Sequence, residues 1–318
     1  IETAAELCKA DLKSGCVQEF PDEMQGVMGG VLVREQNIFN DVNKSFNAAK
    51  AIEEHYLPAG ANSPLPSTWQ GVVLSLSDKL DSLCMMICNG AEVKGNKDPY
   101  GMRRLALGVA RLLGIKNEQN SLTISLKSVV EISLSVIQEN YKVTDEHKSK
   151  IYSFILDRMK AALDGEFDPR SIEALSRQLI EEPLHKVRNF AEKIAVALTQ
   201  SGKGSLLEAL IPYKRAKNLT QEWKLNEVNT SLFKTAEEIS LYEKLVGIEL
   251  RVKSNLEKAE YNELLAALAS LAEPMVAFFS SVMVNDPDEN LKRNRLSLLK
   301  KICTLYEDVA DFSLIQVQ

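Results

Sequence analysis

Apolar residues recur at spacings of three and four along most of the chain, which places them on one face of an α-helix. One such stripe ends shortly before Gly90, and its members are Val73, Leu76, Leu80, Leu83 and Ile87. A second follows Asp98-Pro99, a pair typical of a helix start, and stops at Gly114. Its members are Met102, Leu105, Val109 and Leu112. We therefore predict two amphipathic helices here, each with its apolar stripe buried.

The last third of the chain shows the same period over a longer distance. Three stripes predict helices that bury their apolar faces, namely Leu241, Leu245, Ile248 and Val252, then Leu264 to Leu271, then Leu298, Ile302, Leu305 and Val309. This pattern predicts a helix bundle over residues 205–318. Residues 117–204 are more polar, with weaker helical stripes, and we predict a helical connector there.

Residues that interrupt helices are concentrated near the start of the chain. Phe20-Pro21, Gly29-Gly30 and the proline-containing segment 57–66 predict helix ends and turns. We expect residues 1–116 to form several helices separated by these breaks.

The composition supports an all-α fold. The chain has 318 residues, enough for two or three cores, with 45% hydrophobic and 26% charged residues. Aromatic residues are only 6%, which disfavours a β-sandwich. Because we find neither a membrane-spanning stretch of ~20 uninterrupted apolar residues nor a signal peptide, we expect a cytoplasmic protein that does not enter a membrane. The chain starts with Ile1 already in a helical spacing, so we expect a fragment that begins inside a domain.

Metal and nucleophile sites have little support in the sequence. The five cysteines are scattered among apolar residues, which predicts reduced, buried thiols. The three histidines, His55, His147 and His185, do not have the paired spacing of zinc ligands. We therefore predict no catalytic residue and no metal ligand in this chain.

The net charge of −6 means that a nucleic acid could be bound only through local basic patches. Our candidates for RNA contact lie in three such clusters: Lys214, Arg215 and Asn218; Arg293, Asn294 and Arg295; and Arg103 and Arg104, with Arg111 seven residues after Arg104 on the predicted solvent side. A solvated helix face, or pairing with acids such as Asp288 and Glu289, explains the clusters equally well.

Several longer segments carry a family resemblance through their order. In the first 116 residues they are Met24-Gln25-Gly26-Val27-Met28-Gly29, Ala51-Ile52-Glu53-Glu54-His55-Tyr56-Leu57-Pro58, Ser77-Asp78-Lys79-Leu80-Asp81 and Lys97-Asp98-Pro99-Tyr100. Near the end they are Lys214-Arg215 with Asn218, Glu273-Pro274 with Phe278-Phe279, Asn294-Arg295-Leu296 and Val309-Ala310-Asp311-Phe312-Ser313-Leu314. Together they resemble the C-terminal part of the β subunit of the bacterial two-component glycyl-tRNA synthetase, or the β-like region of a fused chain.

The resemblance implies both a fold and a function. Residues 1–116 would be the later half of a degenerate HD-type helical domain, 117–204 a helical connector, and 205–318 a DALR-like anticodon-binding bundle. The active site for glycine and ATP would lie in the α subunit or an α-like region. This part would then bind glycine tRNA and no cofactor of its own, while the whole enzyme uses ATP and Mg²⁺. The implied partners are glycine tRNA and the α subunit.

Two alternative functions stay open at this point. A metal-dependent HD-type phosphohydrolase needs a His, a His-Asp pair and a later Asp around its metals. Asp78 and Asp81 are candidates for the later Asp, but the sequence contains no His-Asp dipeptide. The other alternative is a non-catalytic helical scaffold that docks a partner subunit, for which the helices alone would suffice.

Overall fold

The computed structural model of the chain describes residues 1–15, 24–36, 38–39, 41–93, 98–115, 122–224 and 226–315. Within these ranges the fold is all-α, as predicted, and strand pairing is limited to an isolated bridge between Asp164 and Phe167. The α-helices in chain order are α1 (Glu2–Leu7), α2 (Val27–Glu35), α3 (Val42–Glu54), α4 (Trp69–Cys88), α5 (Met102–Leu113), α6 (Leu126–Ile137), α7 (Asp145–Leu163), α8 (Pro169–Ala174), α9 (Ser176–Glu181), α10 (Leu184–Thr199), α11 (Leu206–Leu219), α12 (Ala236–Glu257), α13 (Tyr261–Ala269), α14 (Ala272–Ser281) and α15 (Glu289–Val309). Short 3-10 helices lie at Ala10–Lys13, Thr230–Leu232 and Phe312–Leu314.

The chain divides into two compact units. Unit 1 comprises Ile1–Ala162 and Leu179–His185, and unit 2 comprises Leu163–Gln178 and Lys186–Gln318. The segment predicted as a connector therefore contributes to both units, with α6 in unit 1 and most of α10 in unit 2.

Helix α4 is central to unit 1, where it packs against α3, α5 and α6. Its N-terminus is capped by Thr68, whose hydroxyl accepts a hydrogen bond from the backbone N–H of Gly71 at 3.0 Å. The predicted stripe is buried at its four later positions, Leu76, Leu80, Leu83 and Ile87. Our prediction was wrong for Val73, which is 39% exposed, since it borders a groove between α4 and α6 rather than the core.

Helices α2 and α3 approach closely because α2 carries two glycines. A Cβ at Gly30 would lie 2.5 Å from Cγ of Glu53 and 2.8 Å from the carbonyl oxygen of Ala49. The prediction that Gly29-Gly30 ends a helix was therefore wrong, because both residues lie inside α2 and allow it to contact α3. The predicted break at 57–66 is confirmed, since it falls between α3 and α4. Phe20-Pro21 lies outside the described residues.

Helix α5 begins three residues later than the Asp98-Pro99 pair suggested. The carboxylate of Asp98 accepts hydrogen bonds from the backbone N–H groups of Met102 and Arg103, at 2.8 and 2.9 Å. Gly101 stands between them with a φ of +67°, a conformation that favours glycine. Asp98 therefore caps the helix as expected, but from a turn that precedes its first residue.

A lysine is buried in unit 1 against the end of α3. The Lys79 ammonium donates to the carbonyl oxygens of His55, Tyr56 and Leu57, at 3.1 to 3.3 Å. Its alkyl chain lies so close to Gly108 on α5 that a Cβ there would be 2.6 Å from the lysine Cε. Burial lowers the pKa of Lys79 to about 8. This side chain satisfies backbone carbonyl groups that α3 leaves free where it ends.

Unit 2 is built around α11, which packs against α13, α14 and α15. The ring of Tyr213 stacks on that of Tyr306 with centroids 4.6 Å apart, and the Tyr306 hydroxyl donates to the carbonyl oxygen of Leu268 at 2.8 Å. The stripes predicted for the bundle are buried, including Leu241, Leu245, Ile248 and Val252 on α12 and Leu298, Ile302, Leu305 and Val309 on α15. The sequence pattern therefore identified the core of this unit correctly.

One stretch of unit 2 passes a simple test of length and hydropathy for a membrane-spanning segment, although Glu263 and Glu273 interrupt its apolar residues. Tyr261–Ser281 has the required length and a mean hydropathy of 1.6. It forms α13 and α14, and half of it is buried inside the unit, including Leu264, Leu268 and Phe278. Core helices of soluble proteins pass the same test, so the stretch is weak support for a membrane segment.

Candidate nucleic-acid interface

The first candidate cluster lies on α11, whose sequence determines which side chains face outward. Ser205 caps the helix, and Leu206, Leu210 and Tyr213 are buried at helical spacing. Lys214, Arg215 and Asn218 consequently lie away from the core, but they do not share one environment.

Lys214 and its neighbour Lys217 are bound to the end of their own chain. The Lys214 ammonium donates to the carbonyl oxygen of Ile315, and burial lowers its pKa. Lys217 donates to a carboxylate oxygen of Asp311 at 2.8 Å and lies 3.5 Å from a carboxylate oxygen of Glu307. These ammonium groups hold the C-terminal segment against α11, so Lys214 is a weaker candidate for an RNA contact than its position in the sequence suggested.

Arg215 and Asn218 differ from the lysines because they are exposed. The Arg215 guanidinium carbon lies 4.4 Å from the ring centroid of Phe279 on α14, which is a cation–π contact. Within the described part of the chain, neither an acidic side chain pairs with Arg215 nor a hydrogen-bonding group with the Asn218 amide. We call Arg215, Asn218 and Phe279 the outer patch. Its polar groups are available to a ligand.

The second cluster contains two residues that the structure buries. The Arg295 guanidinium donates to a carboxylate oxygen of Glu238 at 2.7 Å and to one of Asp286 at 2.6 Å, and Arg295 is 5% exposed. Asn294 exchanges two hydrogen bonds with the backbone of Asn229, at 2.8 and 3.0 Å. Arg295 and Asn294 are therefore weaker candidates for an RNA contact than Arg293, because their polar groups are occupied inside the unit.

The ion pairs of Arg295 shape the electrostatics inside unit 2. Burial alone would raise the pKa of Glu238, but hydrogen bonds from Arg295 and from the backbone of Lys234 and Thr235 lower it overall. Glu238 also closes the N-terminus of α12 in a capping box with Thr235. We call Arg295, Glu238 and Asp286 the inner brace. It joins the starts of α12 and α15 with the segment before α15.

Arg293, two residues before Arg295, is exposed at the start of α15. Among the described residues its guanidinium has neither an ion-pair nor a hydrogen-bond partner. The neighbouring Lys292 pairs with Glu289 at 3.2 Å, and Asp288 caps α15 by accepting from the N–H of Asn290. The pairing alternative that we considered for this cluster thus holds for Lys292 but not for Arg293.

The third cluster lies on α5 in unit 1. Arg104 is exposed and has no acidic partner within the described ranges, whereas Arg103 is half-buried and makes an interaction of its own. Arg111 donates to the carbonyl oxygen of Gly60 at 2.6 Å and is half-buried, so it does not share an open face with Arg104. Arg104 is the one member of this cluster that we keep as a cation open to solvent.

Among the described residues, the candidate side chains for the hydrolase alternative do not form a metal-binding group. Nδ1 of His55 contacts the carbonyl oxygen of Ile52 at 2.6 Å inside unit 1, and Asp78 is paired with Lys9. Asp81 is exposed on α4. Across the described ranges, no group of three His, Cys, Asp or Glu side chains could hold a metal ion.

The contact between Phe279 and Arg215 could not be predicted from the sequence. The two residues are 64 positions apart, and helical periodicity says nothing about which helices pack together. The pair Phe278-Phe279 was noted for its resemblance alone. The structure separates the two rings: Phe278 is buried in the core and Phe279 is half-buried.

Comparisons with known proteins match most of the chain. A family model described as "Glycyl-tRNA synthetase beta subunit" matches residues 1–177, and one described as "DALR anticodon binding domain" matches residues 210–309. The glycine–tRNA ligase beta subunit of Rickettsia africae (strain ESF-5) is 35% identical over 312 residues, covering 98% of this chain and 44% of that protein. The beta subunit of Thermodesulfovibrio yellowstonii is 34% identical over 314 residues, covering 98% and 43%.

The chain thus spans less than half the length of the curated relatives that it matches. The first family model alone accounts for more than half of the chain, and the second covers both α11 and α14, which carry the outer patch. The resemblance seen in the ordered motifs is confirmed, and the chain belongs to the glycyl-tRNA synthetase beta subunit family.

Proposed function

We propose that this chain is a tRNA-binding part of a glycyl-tRNA synthetase. In this proposal, unit 2 binds the anticodon region of glycine tRNA and unit 1 supports the acceptor side. The chain thereby assists the ATP-dependent attachment of glycine, whose active site lies in the α subunit or an α-like region. The match of residues 210–309 to an anticodon-binding domain supports the role proposed for unit 2.

The observation that carries the proposal is the set of unpaired polar side chains on unit 2. Most basic residues around them are engaged within the protein, as Lys214, Lys217 and Lys292 illustrate. Arg215 and Arg293 are exposed and lack an acidic partner among the described residues. Unpaired arginines in an acidic protein suit a polyanionic ligand, because they attract phosphate without first breaking an internal ion pair.

The remaining parts of the proposal concern the whole enzyme. We expect the α subunit to be the protein partner, ATP and Mg²⁺ to be substrates handled outside this chain, and the enzyme to be cytoplasmic. The names of the relatives, which are beta subunits of glycine–tRNA ligases, support an α subunit as partner.

A filter-binding experiment tests the proposal. The whole chain is mixed with glycine tRNA, or with a tRNA for another amino acid as the control, and retention is measured from low to moderate salt. We expect retention of glycine tRNA that decreases steeply as salt rises, and weaker retention of the control. If neither RNA is retained at low salt, the proposal is wrong and the scaffold alternative is favoured.

A further inference from the structure

The outer patch has a layered geometry that ion pairing does not explain. Helices α11 and α14 pack against each other, and Arg215 of α11 lies over the ring of Phe279 of α14 at 4.4 Å. Phe279 also meets Phe278 edge-on, with centroids 5.6 Å apart and an interplanar angle of 78°. Because Phe278 is buried, this contact joins the Phe279 ring to the core.

The Arg215 side chain is open to solvent as well as to the Phe279 ring. Arg215 is exposed, and no carboxylate of the described residues neutralises it. An Arg plane held against an aromatic ring keeps its planar fork in a restricted position, so less conformational freedom is lost when a ligand adds a further layer. Planar nucleobases stack on guanidinium groups and aromatic rings in this way.

Neighbouring positions would complete a nucleotide site. Asn218 is one helical turn after Arg215 and offers both amide donors and a carbonyl acceptor, the groups that hydrogen-bond to a base edge. Ile211, one turn before Arg215, and Val276, one turn before Phe279, are exposed by 61% and 46%. Apolar side chains beside an unpaired cation suit a base and its ribose better than a phosphate alone.

We propose that an unpaired base of glycine tRNA stacks on the Arg215 guanidinium, with Phe279 as the layer beneath it and Asn218 at the edge of the base. The proposal rests on the proposed function, because it names the contact by which unit 2 binds the RNA. Arginine and aromatic residues are also frequent at the centres of protein interfaces. RNA is favoured because residues 210–309, which contain the whole outer patch, match an anticodon-binding domain.

The test compares Arg215→Lys with wild type, since lysine keeps the charge but lacks the plane. The ligand is the anticodon stem-loop of glycine tRNA, with the fluorescent base 2-aminopurine placed at each unpaired loop position in turn. We expect wild-type protein to quench the fluorescence at one position. Arg215→Lys and Phe279→Leu should abolish that quenching and weaken binding about 10-fold, while Arg215→Lys leaves the salt dependence unchanged.

Arg251→Ala on α12 is the matched control, because it removes one exposed arginine that has no aromatic partner among the described residues. It should keep the quenching, and thermal melting of every variant should match wild type. If Arg215→Lys binds and quenches like wild type while Arg215→Ala is weak, Arg215 contacts a phosphate and the stacking proposal is wrong. The stacking proposal is also wrong if Arg215→Lys and Phe279→Leu bind the RNA normally but no longer bind the α subunit in a pull-down. Wild-type protein that binds no form of the RNA would overturn the proposed function as well.

Discussion

The inner brace and the outer patch lie in the same unit, and each contains an arginine from a short basic cluster. The Arg295 guanidinium is enclosed by two carboxylates, whereas the Arg215 guanidinium lies on an aromatic ring and faces solvent. Arg295 holds helices together, and Arg215 leaves its outer side available. Charge clustering in a sequence therefore does not separate cations that stabilise the fold from cations that bind a ligand. The two kinds of cation are distinguished by their burial and by their acidic partners.

The largest expected effect comes from breaking the inner brace. Replacing Arg295 with Met should reduce the free energy of unfolding of unit 2 by roughly 3 to 5 kcal/mol, because it leaves Glu238 buried without its cation. Urea unfolding can be followed through Trp223, which lies in unit 2, in a Trp69→Phe background.

The double variant Glu238→Gln/Arg295→Met is the matched control for the brace. Gln at position 238 keeps the shape of the side chain and can still close the capping box with Thr235. The double variant should be clearly more stable than Arg295→Met alone, since no unpaired charge stays buried. If Arg295→Met lowers the free energy of unfolding by less than about 1 kcal/mol, the inner brace does not stabilise unit 2.

Two glycines extend the comparison of inner and outer positions to the backbone. Gly30→Ala should destabilise unit 1 by about 1 to 3 kcal/mol, because the new Cβ would collide with the backbone of α3. Gly247→Ala on α12, where a Cβ would meet open space, should instead stabilise unit 2 by about 0.5 to 1 kcal/mol. Urea unfolding with Trp69 or Trp223 as the sole tryptophan measures each unit. Equal effects of the two substitutions would contradict the close contact of α2 with α3.

The inner brace should also make unit 2 sensitive to acid. The pKa of Glu238 is lowered in the folded state, so its contribution to stability is complete above the ordinary value of 4.5 and is lost as the pH falls through the lowered value. Wild type should therefore lose stability faster than Glu238→Gln below pH 4.5. Parallel stability curves from pH 7 to pH 3 for the two proteins would mean that Glu238 is not stabilised as a carboxylate.

A smaller effect is expected at Arg293, which we propose contacts a phosphate. Arg293→Ala should weaken binding of glycine tRNA roughly 5-fold, about 1 kcal/mol, and should change the free energy of unfolding by less than about 0.5 kcal/mol. Lys292→Ala is the control, because Lys292 already pairs with Glu289 and its loss should weaken binding less. Equal losses for the two variants would argue that only net charge matters here.

Much of the fold was predictable because a buried helix face has a fixed period. The stripes from Leu241 to Val252 and from Leu298 to Val309 are buried as predicted. The errors arose where tertiary contacts override local preference. Gly29 and Gly30 lie inside α2, where the lack of side chains allows α3 to pack closely. Val73 is exposed because its face of α4 borders a groove.

The candidate interface was less predictable than the fold. Arg293 and Arg295 are two positions apart, so on a helix they point in different directions, yet a count of basic residues treats them alike. The acidic partners of Arg295 are Glu238, 57 residues away, and Asp286. Phe279 became part of the interface only through the packing of α14 on α11. No local sequence signal encodes these contacts.

The salt dependence of glycine tRNA binding, measured for wild type and for the double variant Arg215→Ala/Arg293→Ala, tests directly whether the exposed arginines of unit 2 bind the RNA. Each phosphate contact contributes roughly 0.7 to 0.9 to the slope of log affinity against log salt. Because we assign Arg293 to a phosphate and Arg215 to a base, the double variant should lose about one such contribution, bind at least about 10-fold more weakly, and melt at the wild-type temperature. An unchanged affinity and slope would contradict the claim that the exposed, unpaired arginines of unit 2 bind the RNA.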